Sequence, residues 1–183
     1  MLVFFCIIAG TVIIDQLTKW LAVIYLQGGG SVGVIPYIIG FVYVENRGAA
    51  WGMFADQRWV FIAASSLAIV VILVYMLCKK PKDRLLTVSL ALIVGGGIGN
   101  MIDRIAYGYV VDFLQFRYID IPIVQKLGIP GFPVFNGADS CVCIGAALLM
   151  LYLIISMVKE QKNERKQPPA NGDRHRREDG DKA

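Results

Sequence analysis

Two aspartates of this sequence have the pattern of an acid–base site. Asp112 lies in GYVVDFLQF and Asp139 in FNGADS, each beside a long apolar run and without a basic residue as an immediate neighbour. An ionisable side chain at or near a bilayer is costly, so its presence indicates a function. Two carboxylates in contact share a proton, so the ionised one can take a proton from water while the neutral one donates to a carbonyl. The pair therefore predicts acid–base chemistry at a membrane surface.

Other hydrolytic chemistries fit the sequence less well. The chain has no HExxH motif and one histidine, His175, in its polar C-terminal segment, which argues against an intramembrane zinc protease and a Ser–His arrangement near the membrane. A Ser–Lys dyad of Ser140 and Lys19 stays open, although Lys19 has Asp15 one helical turn away. Asp139 also has a simpler interpretation, because an aspartate just before a helix can cap it.

The elements that must position these side chains are membrane helices. Hydrophobic residues make up 56% of the 183 residues, and a helix needs about 20 apolar residues to cross a bilayer. The runs that meet this length are Leu2–Leu26, Trp59–Cys78, Leu85–Ile102 and Ser140–Val158. The first lacks the basic start and the cleavage site of a signal peptide, so we expect it to be retained. The predicted fold is all-α and integral to the membrane, with a four-helix domain over 1–158 and a disordered cytoplasmic tail over 159–183.

Basic residues predict the orientation of the spans. KKPKDR at Lys79–Arg84 and the C-terminal tail are rich in Lys and Arg, which by the positive-inside rule places both on the cytoplasmic side. Both termini are then cytoplasmic, and the connections Gln27–Arg58 and Asp103–Asp139 face outward. The net charge of +4 follows from this topology. Because the basic residues do not alternate with aromatic ones, a nucleic-acid partner is not expected.

The two outward connections differ in character. Gly28–Phe54 contains YIIGFVYVE, whose β-branched and aromatic residues predict one or two short strands in a small sheet resting on the membrane. The connection after Arg104 holds three prolines among apolar residues. We interpret it as an interfacial loop or short amphipathic segment that lies over the site.

Polar residues within the spans are expected to support the site. Asp15 and Lys19, at i and i+4, share a helix face and predict an ion pair. Asp103 and Arg104 are also predicted to pair, close to Asn100 near the outer boundary. The glycines of GGGIGN leave two alternatives open, which are tight packing of neighbouring helices and docking of a substrate helix.

The cysteines do not indicate a disulfide framework or a zinc site. Cys6, Cys78, Cys141 and Cys143 all lie in or at the spans, and the last two point in different directions on a helix. We interpret all of them as small apolar residues.

Four blocks of the sequence resemble one family. They are DQLTKW from Asp15, VENRGAAWGMF from Val44, GGGIGNMIDRIAYGYVVDFLQF from Gly95 and FNGADS from Phe135, in matching order and spacing. With these motifs nearly the whole chain up to Val158 closely resembles the bacterial lipoprotein signal peptidases, or type II signal peptidases. The resemblance implies an integral aspartic endopeptidase of the bacterial plasma membrane that works without metal or cofactor. Such enzymes cut prolipoproteins before a cysteine that carries diacylglycerol.

The resemblance also implies roles for individual residues. It places the catalytic aspartates at Asp112 and Asp139. The residues that we assign to support or substrate binding are Asp15, Lys19, Asn46, Gly48, Asn100, Asp103, Arg104, Asn136 and Ala138. Trp51 stands where the family pattern leads us to expect Phe, and Gly137 where we expect a branched apolar residue that would stiffen the turn before Asp139. The expected partners are the diacylglyceryl-prolipoprotein and membrane lipids, with the active site at the outer face of a monomer.

Two other classes of protein remain as alternatives. A small ion or proton transporter would also place carboxylates in a membrane, but the spans show no repeat, and the carboxylates cluster at the outer face and not at the midplane. A membrane scaffold would use the aspartates only as helix caps. The depth of Asp112 and Asp139 separates the transporter from the other two classes, and a cleavage assay separates the peptidase from the scaffold.

Overall fold

Among the residues that the structure describes, four helices are long and apolar enough to cross a membrane. The computed structural model describes residues 1–35, 38–48, 57–117, 126 and 132–164. Its elements are α1 Leu2–Leu26, β1 Ser31–Ile35, β2 Ile39–Asn46, α2 Arg58–Lys79, α3 Arg84–Ala106, β3 Val110–Phe116 and α4 Gly137–Glu164. The strands form one antiparallel sheet in the order β1–β2–β3. The predicted fold class, membrane helices with a small β-rich segment, is confirmed.

Two helices continue past the apolar runs that predicted them. α3 extends to Ala106, and α4 begins at Gly137 and ends at Glu164, beyond the predicted end of the last span at Val158. The length of an apolar run reports the part of a helix that fits the hydrocarbon layer, whereas helical hydrogen bonding continues through polar residues. The first residues of the predicted tail are therefore helical, and the remainder, 165–183, lies outside the described residues.

The chain falls into two compact units, Met1–Leu149 and Met150–Ala183. The first unit contains α1 to α3, the sheet and the N-terminal part of α4, and with them all the predicted site residues that the structure describes. The second unit, over its described residues, is the C-terminal part of α4.

Glycines of α3 let the other membrane helices approach its backbone closely. A Cβ atom at Gly95 would lie 2.8 Å from Cβ of Thr11 in α1, and one at Gly97 would contact α2 at 3.4 Å. A Cβ atom at Gly96 would collide with the carbonyl oxygen of Ala138 in α4. α3 is accordingly the most buried of the four helices. The structure therefore shows tight helix packing at Gly95 and Gly96, whereas Gly97 also lines a cavity, so that docking of a substrate helix at GGGIGN stays a prediction.

A methyl group at Gly96 is expected to destabilise the protein. The Cβ of Gly96→Ala would meet the Ala138 carbonyl oxygen and lie 2.8 Å from Cγ2 of Val142, and overpacking of this kind costs about 1–3 kcal/mol. Gly10→Ala in α1 is the matched control, because a Cβ atom there has no neighbour within 4 Å. Thermal unfolding should show a lower Tm for Gly96→Ala and an unchanged or higher Tm for Gly10→Ala. Equal Tm values for the two variants would contradict the packing described above.

The first part of the segment after α3 is a strand, which corrects the predicted interfacial loop over Val110–Phe116 only. Val110–Phe116 pairs with β2, where Val44 stands opposite Asp112. The sheet packs on the C-terminal end of α1 through a cluster of buried residues, Ala22, Leu26, Val111 and Phe113. Pairing with a strand far away in sequence decides this conformation, and a local sequence pattern does not reveal it.

Candidate active site

The backbone around Phe135 joins the two elements that carry the candidate aspartates. Asp112 lies in β3, and Asp139 lies in the first turn of α4. The N–H groups of Phe113 and Leu114 donate to the Phe135 carbonyl oxygen at 3.0 and 2.8 Å, and the Phe135 N–H donates to the Leu114 carbonyl oxygen at 3.0 Å. These bonds hold the chain that enters α4 against the strand and bring Asp112 and Asp139 to one site.

Asp112 is buried and accepts hydrogen bonds from two amide side chains. It is 1% exposed. Asn46 Nδ2 donates to its Oδ2 at 2.9 Å, and Asn136 Nδ2 donates to its Oδ1 at 2.7 Å. Burial, followed by the negative charge of Asp139, raises the pKa of Asp112 to about 7. Asp112 can therefore hold a proton close to neutral pH.

Asp139 shares a reciprocal helix cap with Asn136. The Asp139 N–H donates to Oδ1 of Asn136 at 2.9 Å, and the Asn136 N–H donates to Oδ2 of Asp139 at 3.2 Å. This is the arrangement of a capping box, with Asn136 at the N-cap position. The other carboxylate oxygen of Asp139 accepts from Asn100 Nδ2 at 2.6 Å, and the half-buried side chain lines two cavities. The contact with Asn100 and the exposure to the cavities are not needed for a helix cap, so capping alone does not explain the surroundings of Asp139.

A buried network of charged side chains from α1 and α3 lies next to the two aspartates. Lys19 Nζ lies 2.8 Å from Asp15 Oδ2 and 3.0 Å from Asp103 Oδ2. It also donates to Asn100 Oδ1 at 2.9 Å. Gln16 Nε2 joins the network by donating to Oδ1 of Asp103 at 2.9 Å. The predicted ion pair of Asp15 with Lys19 is thus confirmed.

The predicted ion pair of Asp103 with Arg104 is wrong. Successive residues of a helix point in different directions, so Asp103 faces α1 while Arg104 faces the cavities. The Arg104 guanidinium donates to the carbonyl oxygens of Asn100 and Gly48 at 3.4 and 3.5 Å, and its Cζ lies 4.9 Å from the centre of the Phe61 ring. The guanidinium thus contacts neutral groups directly, and it also interacts electrostatically with Asp139 and Asp112.

Two cavities meet at the candidate site. One, of about 340 Å³, lies between α2, α3 and α4 and includes Gly97 in its wall. The other, of about 470 Å³, lies between the sheet and the start of α4 and includes Phe132. Both are lined by Arg104, Asp139 and Cys143. A peptide that occupied both cavities would therefore pass beside Asp139.

Gly48 and Ala138, two of the predicted support residues, contribute backbone N–H groups. The Gly48 N–H donates to Asn46 Oδ1 at 3.0 Å and so orients the amide that contacts Asp112. The Ala138 N–H donates to Asp15 Oδ1 at 2.8 Å. Their side chains carry no polar group, so the sequence alone did not reveal how they act.

Gln16 is a further residue of the site, which was not predicted from the sequence. Its amide also donates to the carbonyl oxygen of Gly99 at 3.1 Å, and so links α1 to α3. The available signal was its spacing, because Gln16 and Lys19 are three residues apart and lie on neighbouring parts of one helix face.

The Ser–Lys dyad is not formed. The Ser140 hydroxyl donates to the carbonyl oxygen of Asn136 at 3.0 Å, while the Lys19 ammonium is held by the ion network. The four cysteines are free thiols. A Cβ atom at Gly137 would make an ordinary contact with Asp15 at 3.6 Å, so this position can accept a methyl group. Trp51 and most of the predicted interfacial loop, 118–125 and 127–131, lie outside the described residues.

Comparison with known proteins points to one family. The family profile described as signal peptidase (SPase) II matches residues 7–155. The lipoprotein signal peptidase of Symbiobacterium thermophilum is 43% identical over 144 residues, which cover 79% of this chain and 89% of that protein. The lipoprotein signal peptidase of Geobacillus kaustophilus is 39% identical over 161 residues, which cover 88% of this chain and 99% of that protein.

Solved structures agree with the sequence comparison. A bacterial membrane enzyme solved by the in meso method at 2.3 Å superposes with a TM-score of 0.72 and 26% identity, covering 93% of this chain and 96% of that chain. A second, solved at 1.9 Å, superposes with a TM-score of 0.71 and 28% identity, covering 84% of this chain and 93% of that chain. The multi-pass membrane fold, the matched profile and these relatives lead to one conclusion: this chain belongs to the signal peptidase II family, the bacterial lipoprotein signal peptidases.

Proposed function

We propose that this chain is an aspartic endopeptidase that removes the signal peptide from diacylglyceryl-modified prolipoproteins and cuts before the lipidated cysteine. Family membership supports the substrate class. The observation that carries the chemistry is the pair itself: Asp112 is buried, its pKa is raised to about 7 by burial and by the charge of Asp139, and Asp139 lines both cavities. Acid–base catalysis is most effective when the catalytic pKa lies near the working pH.

The proposed reaction divides the work between the two aspartates. Ionised Asp139 takes a proton from water, the hydroxide attacks the scissile carbonyl carbon, and protonated Asp112 donates its proton to the carbonyl oxygen. When the tetrahedral intermediate breaks down, the C–N bond breaks and Asp139 passes its proton to the departing nitrogen. A hydroxyl of the intermediate returns a proton to Asp112. The amide side chains of Asn46, Asn100 and Asn136 keep both carboxyl groups in place throughout.

The two cavities suit the two parts of such a substrate. The cavity between α2, α3 and α4 is enclosed by three membrane helices and reaches Gly97, so we assign the signal helix to it. The cavity beside the sheet is lined by aromatic residues, Phe116, Phe132 and Phe135, and by the polar side chain of Asn46, so we assign the residues at the lipidated cysteine to it. The scissile bond then lies beside Asp139, which lines both.

The direct test is cleavage of a defined substrate. Purified protein in lipid or detergent is incubated with a diacylglyceryl-modified precursor, and the products are identified by mass spectrometry. We expect one cut immediately before the modified cysteine. A transporter or a scaffold would release no product. Asp112 lies on a strand outside the four spans, a position that favours the peptidase over a transporter.

The catalytic efficiency is expected to fall as the pH rises above about 7. Asp112 ionises as the pH rises through its raised pKa of about 7, and the ionised form has no proton to give to the carbonyl oxygen. The value of kcat/KM should therefore drop about tenfold per pH unit above this point. The profile is measured from about pH 5 to about pH 9 with circular dichroism as the control for folding. A flat profile to about pH 9 would exclude Asp112 as the acid.

We further propose a plasma-membrane enzyme with both termini cytoplasmic and the sheet on the outer side. The basic residues of Lys79–Arg84 support this orientation. In a background with the native cysteines replaced, cysteines placed in Gly28–Gly33 or in Gln125–Gly131 should react with an impermeant thiol reagent added from outside. A cysteine at Lys82 is the control and should react only after permeabilisation. External labelling of a cysteine in the tail 165–183 would contradict the proposed orientation of the helices.

A further inference from the structure

Each of two buried carboxylates accepts a hydrogen bond from the residue directly before a proposed catalytic aspartate. The N–H of Ala138, which precedes Asp139, donates to Asp15 Oδ1 at 2.8 Å. The N–H of Val111, which precedes Asp112, donates to Asp103 Oδ2 at 3.1 Å. Ala138 belongs to α4 and Val111 to β3, so each carboxylate fixes the backbone of a different element.

Lys19 joins these two carboxylates. Its ammonium lies 2.8 Å from Asp15 and 3.0 Å from Asp103, and it is 3% exposed. An unbroken set of contacts therefore runs from the backbone beside Asp139, through Asp15, Lys19 and Asp103, to the backbone beside Asp112. Without the cation, two buried carboxylates would repel each other or take up a proton.

Lys19 also sets the orientation of the Asn100 amide. Ammonium groups only donate, so the 2.9 Å contact with Lys19 requires the oxygen of Asn100 to face the lysine. The Asn100 NH₂ group then points to Asp139, whose Oδ1 it contacts at 2.6 Å. The donor that holds Asp139 is thus directed by the same lysine, together with Asn136, whose Nδ2 also donates to Asn100 Oδ1 at 3.1 Å.

We propose that Lys19 is a positioning residue that sets both the separation and the charge environment of Asp112 and Asp139. The proposal rests on the proposed function, since it assigns a role in that reaction. Lys19 itself does not touch the reacting atoms. It acts through Asp15, Asp103 and Asn100, and a change at Lys19 is expected to reach both aspartates together.

The charge of Lys19 provides a measurable test, because the pKa of Asp112 would not change if Lys19 had a purely structural role. The charged and polar groups that face Asp112 are Asp139 from α4, Asn136 before α4, Asn46 from β2, Arg104 from α3 and Lys19 from α1. Lys19→Met removes one positive charge from this set and keeps the length of the side chain. Loss of a nearby cation raises the pKa of a carboxyl group, so the pKa of Asp112 should rise further above about 7.

The first experiment compares Lys19→Met with Lys79→Met, which removes an exposed lysine at the end of α2. We expect kcat to fall about 100-fold or more in Lys19→Met while KM changes less than about threefold, because binding is retained and positioning is lost. The upper limb of its kcat/KM profile should move to higher pH. Lys79→Met should match the wild type in both measurements. An unchanged kcat, or a limb that moves to lower pH, would overturn the proposal.

A second measurement does not depend on cleavage. Infrared titration follows the Asp112 carboxyl band, which is identified by its loss in Asp112→Asn, and we expect this band to titrate at higher pH in Lys19→Met than in the wild type. If the wild type cleaves no precursor, the proposed function fails, whereas this titration still decides whether Lys19 acts on Asp112. If the Asp112 band titrates at the same pH in both proteins, the proposed role of Lys19 is wrong even if cleavage is observed.

Asp103→Asn provides the test if Lys19→Met does not fold. Asn keeps an oxygen that can accept from the Val111 N–H and removes a negative charge instead of a positive one. The Asp112 band should then titrate at lower pH than in the wild type, opposite in sign to Lys19→Met. A shift to higher pH in Asp103→Asn would contradict the coupling through Lys19.

Discussion

Asp112→Asn and Asp139→Asn are each expected to lower cleavage of the lipidated precursor by about 10⁴-fold, a loss of the size seen when one member of a catalytic constellation is disabled. Asn nearly preserves the size of the side chain, but it can neither take a proton from water nor give one to the carbonyl oxygen. The two aspartates act as a unit, so the double variant should be hardly worse than either single one. Single-turnover product formation per folded enzyme measures all three.

Asp83→Asn is the matched control for this substitution. Asp83 caps α3 by accepting from the Leu86 N–H at 3.1 Å, and an Asn can make the same bond. This variant should retain wild-type activity, and all variants should keep their helical circular dichroism. Substantial activity in Asp139→Asn would leave Asp139 with only its part in the capping box with Asn136, and the proposed mechanism would then be wrong.

An unlipidated precursor is expected to be cleaved at least about 10³-fold less efficiently than the diacylglyceryl-modified one. Each buried methylene contributes about 0.8 kcal/mol, so burial of about five methylenes already gives about 4 kcal/mol. The cavity that we assign to the lipidated cysteine has aromatic walls, Phe116 and Phe132 among them. The comparison uses kcat/KM for two precursors that differ only at the cysteine.

A precursor with a lipidated cysteine and a scrambled signal helix of equal hydrophobicity separates membrane anchoring from recognition. If anchoring by the acyl chains dominates, this substrate should retain most of the efficiency of the native precursor. Equal rates for the lipidated and unlipidated native precursors would refute the role of the lipid.

Much of the architecture follows from local sequence. A membrane span needs only an apolar run of sufficient length, so Leu2–Leu26 and the other three runs predicted the four helices. The pairing of Asp15 with Lys19 also follows from sequence, because residues four apart on a helix face each other. Asp112 and Asp139 could be recognised as candidates from their apolar surroundings and from the family resemblance, and their catalytic role stays a prediction.

What the sequence did not reveal depends on contacts between distant residues. Val110–Phe116 was predicted to be part of a loop, and it is a strand because β2 pairs with it and α1 packs on it. Asp103 was predicted to bind Arg104, its neighbour in sequence. The direction of each side chain on α3 decides otherwise, and Asp103 binds Lys19 from α1.

The candidate site also has features that follow from the sequence and features that depend on the tertiary structure. Residue types and motifs determined by themselves that this is a membrane protein with two unpaired carboxyl groups near the ends of its spans. Only the tertiary structure decided how those groups are held, through the bonds of Phe135 to β3, the capping box of Asn136 with Asp139, and the link from Asp15 to Asp103 through Lys19. Helices and apolar spans arise from interactions within a few residues of the chain, whereas a pair of carboxyl groups reaches one site only when several distant elements pack together.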